Sequence, residues 1–565
     1  MPQEAPDHSA APPGTAAPGT PSMHGKPRRK PLTKRRLKVE DVNVVDHSMM
    51  KKAVGGTVVG NTMEWFDIGV YGYLAVTMGA VFLSDADPAS QLLFSLGVFA
   101  ATFLARPLGG VIFGRIGDRV GRQKTLAATL ILMAASTFAI GLLPGYAQIG
   151  MAAPVLLVVM KLLQGFSTGG EYAGATTFVS EYAPDKRRGF LASILDLGSY
   201  MGFALGALTV STLQLTLSEE TMLEWGWRIP FLIAGPLGAI AIYFRLKIEE
   251  SPAFQATLDA QEEQAASAAG KAADKDAAAL GTFGIFRAYW RPIVLAMVLV
   301  AAANTVGYAL TSYMPSYLTD SKGYDPVHGT LLTIPVLVAM ALCIPLTGRL
   351  SDRIGRRPVL WMGAGTTIVF AIPSFLLIDQ GPIWTTLLGL ALLAVPVTFY
   401  VANLASSLPA LFPTASRYGA MGIAYNFAVA IFGGTAPLIM QGLIEISGDD
   451  MMPAYYLMAT SAIGAVAVGI MKESANRPMP GSMPSVATEA EARELVETQD
   501  ENPLLDLDAL PFDQAPDPAG DPGTGALTLS PAAEGTAEVR FRRDEPQLSP
   551  GDRLEGSSIV RELRP

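Results

Sequence analysis

GRIGDRVGRQK, from Gly114 to Lys124, returns as GRLSDRIGRRP, from Gly348 to Pro358. Gly114, Asp118, Gly121 and Arg122 match Gly348, Asp352, Gly355 and Arg356, each 234 residues further on. A second echo follows the same plan. Pro184 and Arg188 match Pro413 and Arg417, both 229 residues further on. The chain therefore reads as two copies of one long unit, a plan used by membrane proteins built from parallel repeats.

Long apolar stretches lie outward from each string. Six precede a hydrophilic link: Val54–Leu83, Leu92–Phe113, Lys124–Leu143, Ala152–Tyr182, Phe190–Leu215 and Trp227–Phe244. Six follow it: Arg291–Leu318, Gly329–Leu350, Pro358–Ile378, Ile383–Leu411, Ala420–Ile446 and Pro453–Met471. A hydrocarbon core of ~30 Å needs ~20 apolar residues in helical form, and most of these stretches reach that length. They are numbered here as spans 1 to 12. The expected fold is all-α, a polytopic membrane protein with twelve transmembrane helices in two pseudo-symmetric six-helix halves. The expected organisation is a disordered basic tail over 1–52, a first half over 53–246, a central loop over 247–288, a second half over 289–473 and a disordered acidic tail over 474–565.

Composition agrees with the membrane class. Half the residues are hydrophobic, and charged residues make up 16%, below the ~25% of an average soluble domain. The formal charge of −9 belongs to the C-terminal tail, where residues 479–565 hold 18 acidic and 7 basic side chains. The first fifty residues contain no apolar run, so span 1 is expected to act as the insertion signal. The single cysteine, Cys343, permits no intramolecular disulfide or thiolate cluster and reads as a small buried core residue. There are four histidines, and no phosphate loop, nucleophile elbow or metal-spaced cluster appears. No enzymatic activity, cofactor, metal or nucleic-acid partner is expected.

Lys and Arg sort the loops into two sets. The loops after spans 2, 4, 8 and 10 are basic, with Arg115, Arg119, Arg122 and Lys124, then Lys186, Arg187 and Arg188, then Arg349, Arg353, Arg356 and Arg357, then Arg417. The opposite loops hold almost none. The positive-inside rule makes the basic loops cytoplasmic. Both termini fall on that side of a multi-pass protein of the cell membrane. The run KPRRKPLTKRRLK, Lys26 to Lys38, carries eight basic residues. It is suited to anionic lipid headgroups, where each basic residue gains ~1 kcal/mol.

Ionisable side chains inside a bilayer are costly and mark functional sites by default. Span 1 carries Asn61, Glu64, Asp67 and Tyr71 at spacings of three, three and four, which place them on one helical face. Span 2 carries Arg106, and span 5 carries Asp196. Span 4 carries Lys161, Gln164, Thr168 and Glu171, again on one face. Glu64, Asp67, Arg106, Lys161, Glu171 and Asp196 form a candidate proton-coupling network. The second half offers Asn304, Asn403, Asn426 and tyrosines. Asn61, Trp65, Tyr71, Gln164, Asn304 and Tyr308 are the candidate substrate contacts. The repeated strings suit a gate: glycines permit a tight turn, and Asp and Arg can exchange partners between the halves.

G-x-x-x-D-x-x-G-R resembles a signature of the major facilitator superfamily. GNTMEWFDIGVYGY, LARPLGGVIFGRIGDRVGRQK, LLQGFSTGGEYAGA and LEWGWRIPF resemble the metabolite:H⁺ symporter family within it. IEESPAF, YMPSYL, LSDRIGRRP, LPALFP, MMPAYYLM and ESANRP extend the likeness to its osmoprotectant branch, from about Gly55 to Pro478. KLLQG, from Lys161, resembles an R-x-x-Q-G motif of proton-coupled members, with Lys in place of Arg. The Gly-Pro pair of drug antiporters is missing from LGSYMGFALGALT in span 5, where Gly198, Gly202 and Gly206 form a small-residue stripe instead.

The resemblance implies a major facilitator fold and H⁺-coupled uptake, by alternating access, of compatible solutes such as proline, glycine betaine and ectoine. The partners so implied are a zwitterionic small molecule, H⁺ and the bilayer, with the chain working as a monomer. Aromatic faces suit a quaternary ammonium, and Arg106 or Lys161 suits a carboxylate. Symport of a carboxylate such as 2-oxoglutarate or citrate is the alternative, and a non-transporting sensor is another. Some members of the branch end in a coiled coil. Here Thr488–Gln499 could make about three turns, short of the heptads that call for one.

Overall fold

The computed structural model describes residues 36–45, 47–120, 122–247, 282–414 and 417–510. Nine helices among them are long and apolar enough to cross a bilayer, and the bent pair Val54–Tyr73 and Ala75–Phe82 makes a tenth. Arg122–Leu142 and Arg228–Lys247, each with a shorter apolar core, fill the third and sixth places. The described residues thus carry twelve apolar helices in the order expected. Span 2 is Pro88–Phe113, span 4 Ala152–Tyr182 and span 5 Asp185–Thr216. In the second half, span 7 is Gly284–Asp320, span 8 Val327–Ile354, span 9 Arg356–Asp379, span 10 Ile383–Ser407, span 11 Arg417–Ser447 and span 12 Met452–Ile470.

Several spans are interrupted. Span 1 bends by 62° at Leu74. Spans 7 and 11 each contain one π-helical turn, at Ala309–Tyr313 and Val429–Gly433. Such turns cluster at functional sites because they re-aim side chains. The helix of span 7 begins at Thr282, earlier than the expected Arg291, and kinks at Tyr289 ahead of Pro292. Proline lacks the amide that would continue the ladder there.

Lipid tails offer no hydrophobic drive for helices to associate, so close backbone approach at small residues supplies the packing. Spans 2 and 4 cross on Gly109, Gly165 and Gly169. A Cβ on Gly165 would stand 1.7 Å from the Thr102 carbonyl oxygen, and one on Gly109 would stand 1.7 Å from that of Phe166. Spans 1 and 5 meet along the stripe of Gly198, Gly202 and Gly206, where a Cβ on Gly202 would stand 2.3 Å from the Thr62 oxygen. The two halves face each other through spans 1, 2, 4 and 5 on one side and spans 7, 8, 10 and 11 on the other.

One expectation fails at the termini. Residues 474–510 are not a disordered tail, and residues 36–45 are not part of one. Strand β1, Asn43–Val44, pairs in parallel with strand β2, Ser485–Val486. A helix follows at Glu489–Glu497, its N-terminus capped by the Thr488 side chain accepting from the Glu491 amide at 3.2 Å. Leu37, Val42, Val486, Ala492 and Leu505 bury a small apolar core between the two ends of the chain. Scattered apolar residues in an acidic segment become a core only with a partner, and here the partner comes from the other terminus. Cys343 also departs from expectation: it is exposed on the outer side of span 8. The basic run before residue 36, the central link 248–281 and the tail beyond 510 lie outside the described residues.

Candidate functional site

A small cavity of about 40 Å³ lies between the halves. Span 1 contributes Trp65, span 4 Tyr172, and span 5 Asp196, Ser199, Tyr200 and Phe203. Span 7 contributes Asn304, Tyr308 and Thr311, and span 11 contributes Tyr425. Six of the fourteen lining residues are aromatic. Tyr172 stacks on Tyr425 across the two halves at 4.4 Å, and Trp65 packs on Phe203 at 5.3 Å and on Tyr308 at 6.2 Å. Phe103 of span 2 backs Tyr308 at 5.2 Å. Asn61 fixes the Trp65 ring: its Oδ1 accepts from Trp65 Nε1 at 3.0 Å, and its amide donates to Ser199 Oγ at 2.6 Å.

The buried charges form three separate arrangements. Arg106 donates to Glu64 at 3.3 Å, with both side chains buried. That is long for a charge-assisted bond, which usually spans about 2.7–2.9 Å. Glu64 Oε2 and Arg106 Nε and Nη1 have no hydrogen-bond partner among the described residues. The guanidinium lies over the Phe103 ring at 4.6 Å and near Trp65 at 6.0 Å. The second arrangement is a relay. Lys161 donates to Gln164 at 2.6 Å, Gln164 to Thr137 at 2.8 Å, and Thr137 to Asp67 at 3.2 Å. Lys161 also sits over the Tyr71 ring at 4.2 Å. In the third, Asp196 accepts from the Tyr172 hydroxyl at 3.0 Å. Glu171 is buried nearby on span 4.

Of the expected substrate contacts, Trp65, Asn304 and Tyr308 line the cavity, and Asn61 supports it from behind. Tyr71 and Gln164 do not line it; they belong to the Lys161 relay. Arg106 and Lys161 do not line it either. Sequence reading missed Tyr172, Ser199, Tyr200, Phe203, Thr311, Tyr425 and Thr137. One signal was present: Asp196, Ser199, Tyr200 and Phe203 share a helical face by spacing.

The second repeated string joins the two halves on one face of the molecule. Gly355 turns the chain at φ 104°, a conformation that favours glycine. Asp352 accepts from the Gly189 and Phe190 amides at 2.8 and 2.9 Å, capping span 5 of the other half, and from Arg356 at 2.8 Å. Gly348 and Gly189 let the halves touch there, since a Cβ on Gly348 would stand 2.6 Å from the Gly189 oxygen. Arg417 pairs with Glu181 across the halves at 2.6 Å. The first string, with Gly114, Asp118, Gly121 and Arg122, lies outside the residues whose side chains are described.

The ordered tail straps this face. Arg188 donates to the Arg477 oxygen at 3.0 Å and Arg417 to that of Pro480 at 2.9 Å, so one segment holds both halves. Glu473 accepts from the amides of Arg356, Arg357, Ser474 and Ala475. Burial opposes its ionisation, but these four donors outweigh it and hold the carboxyl below its ordinary value. Asp352→Asn is expected to cut the maximal transport rate roughly fivefold or more, because its bonds to the span 5 amides and Arg356 lose their charge. Apparent KM should stay within about twofold, as no cavity contact changes. Initial rates against concentration check this.

Residues 54–480 match the family model described as sugar (and other) transporter. The ectoine/proline transporter ProP of Corynebacterium glutamicum is 49% identical over 489 residues, covering 86% of this chain and 96% of that one. The proline/betaine transporter of Escherichia coli K12 is 44% identical over 482 residues, covering 85% of this chain and 94% of that one. Among solved structures, the proton:xylose symporter XylE bound to 6-bromo-6-deoxy-D-glucose superposes with a TM-score of 0.61 at 17% identity, covering 76% of this chain and 98% of that one. That last likeness concerns fold alone. The chain belongs to the sugar (and other) transporter family of the major facilitator superfamily, in the branch that holds the bacterial proline/betaine transporters.

Proposed function

We propose that this chain imports proline- and betaine-type zwitterions across the cell membrane together with H⁺, by alternating access. The observation that carries this is the cavity between the halves, lined by six aromatic rings and holding one carboxylate, Asp196. Aromatic faces attract quaternary ammonium groups through their quadrupoles, and a carboxylate attracts the positive end of an amino acid. Names of relatives 44–49% identical over nearly their whole length support the same substrate class. The alternative, a dicarboxylate or tricarboxylate, is disfavoured because no Lys or Arg is among the described residues lining the cavity.

The proton is assigned to Glu64, with the Asp67 relay behind it. Protonation of Glu64 removes the charge that holds Arg106. The guanidinium rests on Phe103 and near Trp65, and both rings adjoin Tyr308 in the cavity wall. Proton loading is thereby linked to the shape of the substrate site. The gate closed by Asp352 is assigned to the cytoplasmic face, with both termini inside, as the loop charges require. The chain is assigned as a transporter without enzymatic activity, functional as a monomer, with its N-terminal basic run near anionic lipid. The test is uptake of labelled proline, glycine betaine and 2-oxoglutarate into proteoliposomes under an imposed pH gradient. Uptake of 2-oxoglutarate alone would overturn the substrate assignment.

A further inference from the structure

Asp196 is the only Asp, Glu, Lys or Arg among the described residues that line the cavity. Its side chain is buried, and no described cation pairs with it. Oδ1 accepts from the Tyr172 hydroxyl, while Oδ2 has no partner among the described residues. The contrast with the other acids is plain, for Glu64 pairs with Arg106 and Asp67 accepts from the Thr137 end of the Lys161 relay. A buried carboxylate left without a cation is costly.

We propose that Asp196 is the ammonium-recognising residue of the cavity and sets its preference between substrates whose nitrogen carries hydrogen and those whose nitrogen is fully methylated. The assignment rests on the zwitterion function proposed above. A secondary ammonium, as in proline, has two N–H donors, and one of them can fill the free Oδ2 with a charge-assisted bond. A quaternary ammonium has no such donor. Its positive charge is spread over methyl groups, which meet ring faces instead. Trp65, Tyr308 and the Tyr172–Tyr425 stack supply those faces in the same cavity. One site therefore holds two kinds of nitrogen by two different interactions, and only one of them uses Asp196 directly.

The experiment compares L-proline with its N,N-dimethyl derivative, which share a carbon skeleton and differ at the nitrogen. The full chain is reconstituted in proteoliposomes and KM is measured by counterflow, which requires no net proton movement. KM is also insensitive to the amount of protein. Asp196→Asn is expected to raise the KM of proline about tenfold or more, the usual worth of a hydrogen bond to a charged group. The dimethyl compound loses the attraction of the charge but no hydrogen bond, so its KM should rise at least about threefold less than that of proline. Asp196→Glu keeps the charge but extends it into the cavity. It should spare proline within about threefold and weaken the bulkier dimethyl compound about tenfold, through crowding. Equal shifts for both compounds in either variant would overturn the proposal and leave Asp196 as a structural partner of Tyr172. Wild-type protein that moves neither compound would instead overturn the zwitterion function itself, a separate outcome that also removes this assignment.

Discussion

Gly165→Ala is expected to remove most folded protein from the membrane, a loss of about tenfold or more, since ~1.4 kcal/mol is already a factor of ten. The added methyl would stand 1.7 Å from the Thr102 carbonyl oxygen and 2.6 Å from its carbon. Both are backbone atoms of span 2, so no side chain can turn aside. The two helices would have to separate. The crossing also fixes Arg106, because Gly169 lies against the Arg106 carbonyl on the same seam, at 2.1 Å for a Cβ. Overpacking of an ordinary core costs ~1–3 kcal/mol, and this site has less room to relax. Gly97→Ala, on span 2 itself, is the control: nothing lies within 4 Å of its Cβ position, so abundance should not fall. Size-exclusion profiles of fluorescently tagged protein report both. A monodisperse, abundant Gly165→Ala variant would mean that spans 2 and 4 cross elsewhere.

Glu64→Gln is expected to abolish uphill accumulation driven by a pH gradient while sparing counterflow within about threefold. Gln cannot change charge, yet it still accepts a hydrogen bond from Arg106 and has nearly the same volume. A carrier of the proton is lost, and the local packing is kept. A purely structural pair would behave differently. Its loss would leave Arg106 buried without a counter-charge, which typically costs 3–5 kcal/mol, so abundance and counterflow would fall together. Asp67→Asn separates the two arrangements, because Asp67 is held by Thr137 and not by Arg106. If Glu64→Gln still accumulates substrate in response to pH, the proton is carried elsewhere.

The twelve spans were legible because each is a local property: length, hydropathy and the charge of the flanking loops. The stripe of Gly198, Gly202 and Gly206 was legible for the same reason, and it does face a neighbouring backbone. The cavity was legible only in part. Trp65 and Tyr308 stand out in sequence as aromatics near polar residues, but the Tyr172–Tyr425 stack joins two helices from different halves. Nothing local marks it. Thr137 was hidden for another reason. A threonine in an apolar helix usually bonds back to its own turn, and the Met133 oxygen lies within reach of this one at 3.0 Å; the alternative acceptor, Asp67, comes only with the tertiary fold. The strap at the termini was least legible. Asn43 and Ser485 pair across 442 residues, and neither segment carries enough apolar surface to announce a core alone.

The measurement closest to the proposed function uses wild-type protein in proteoliposomes, acidic outside, with membrane potential clamped to zero. Labelled proline and glycine betaine should accumulate inside above their external concentration, and the accumulation should collapse when a protonophore dissipates the gradient. Equilibration without accumulation, or accumulation unaffected by the protonophore, would contradict proton-coupled symport.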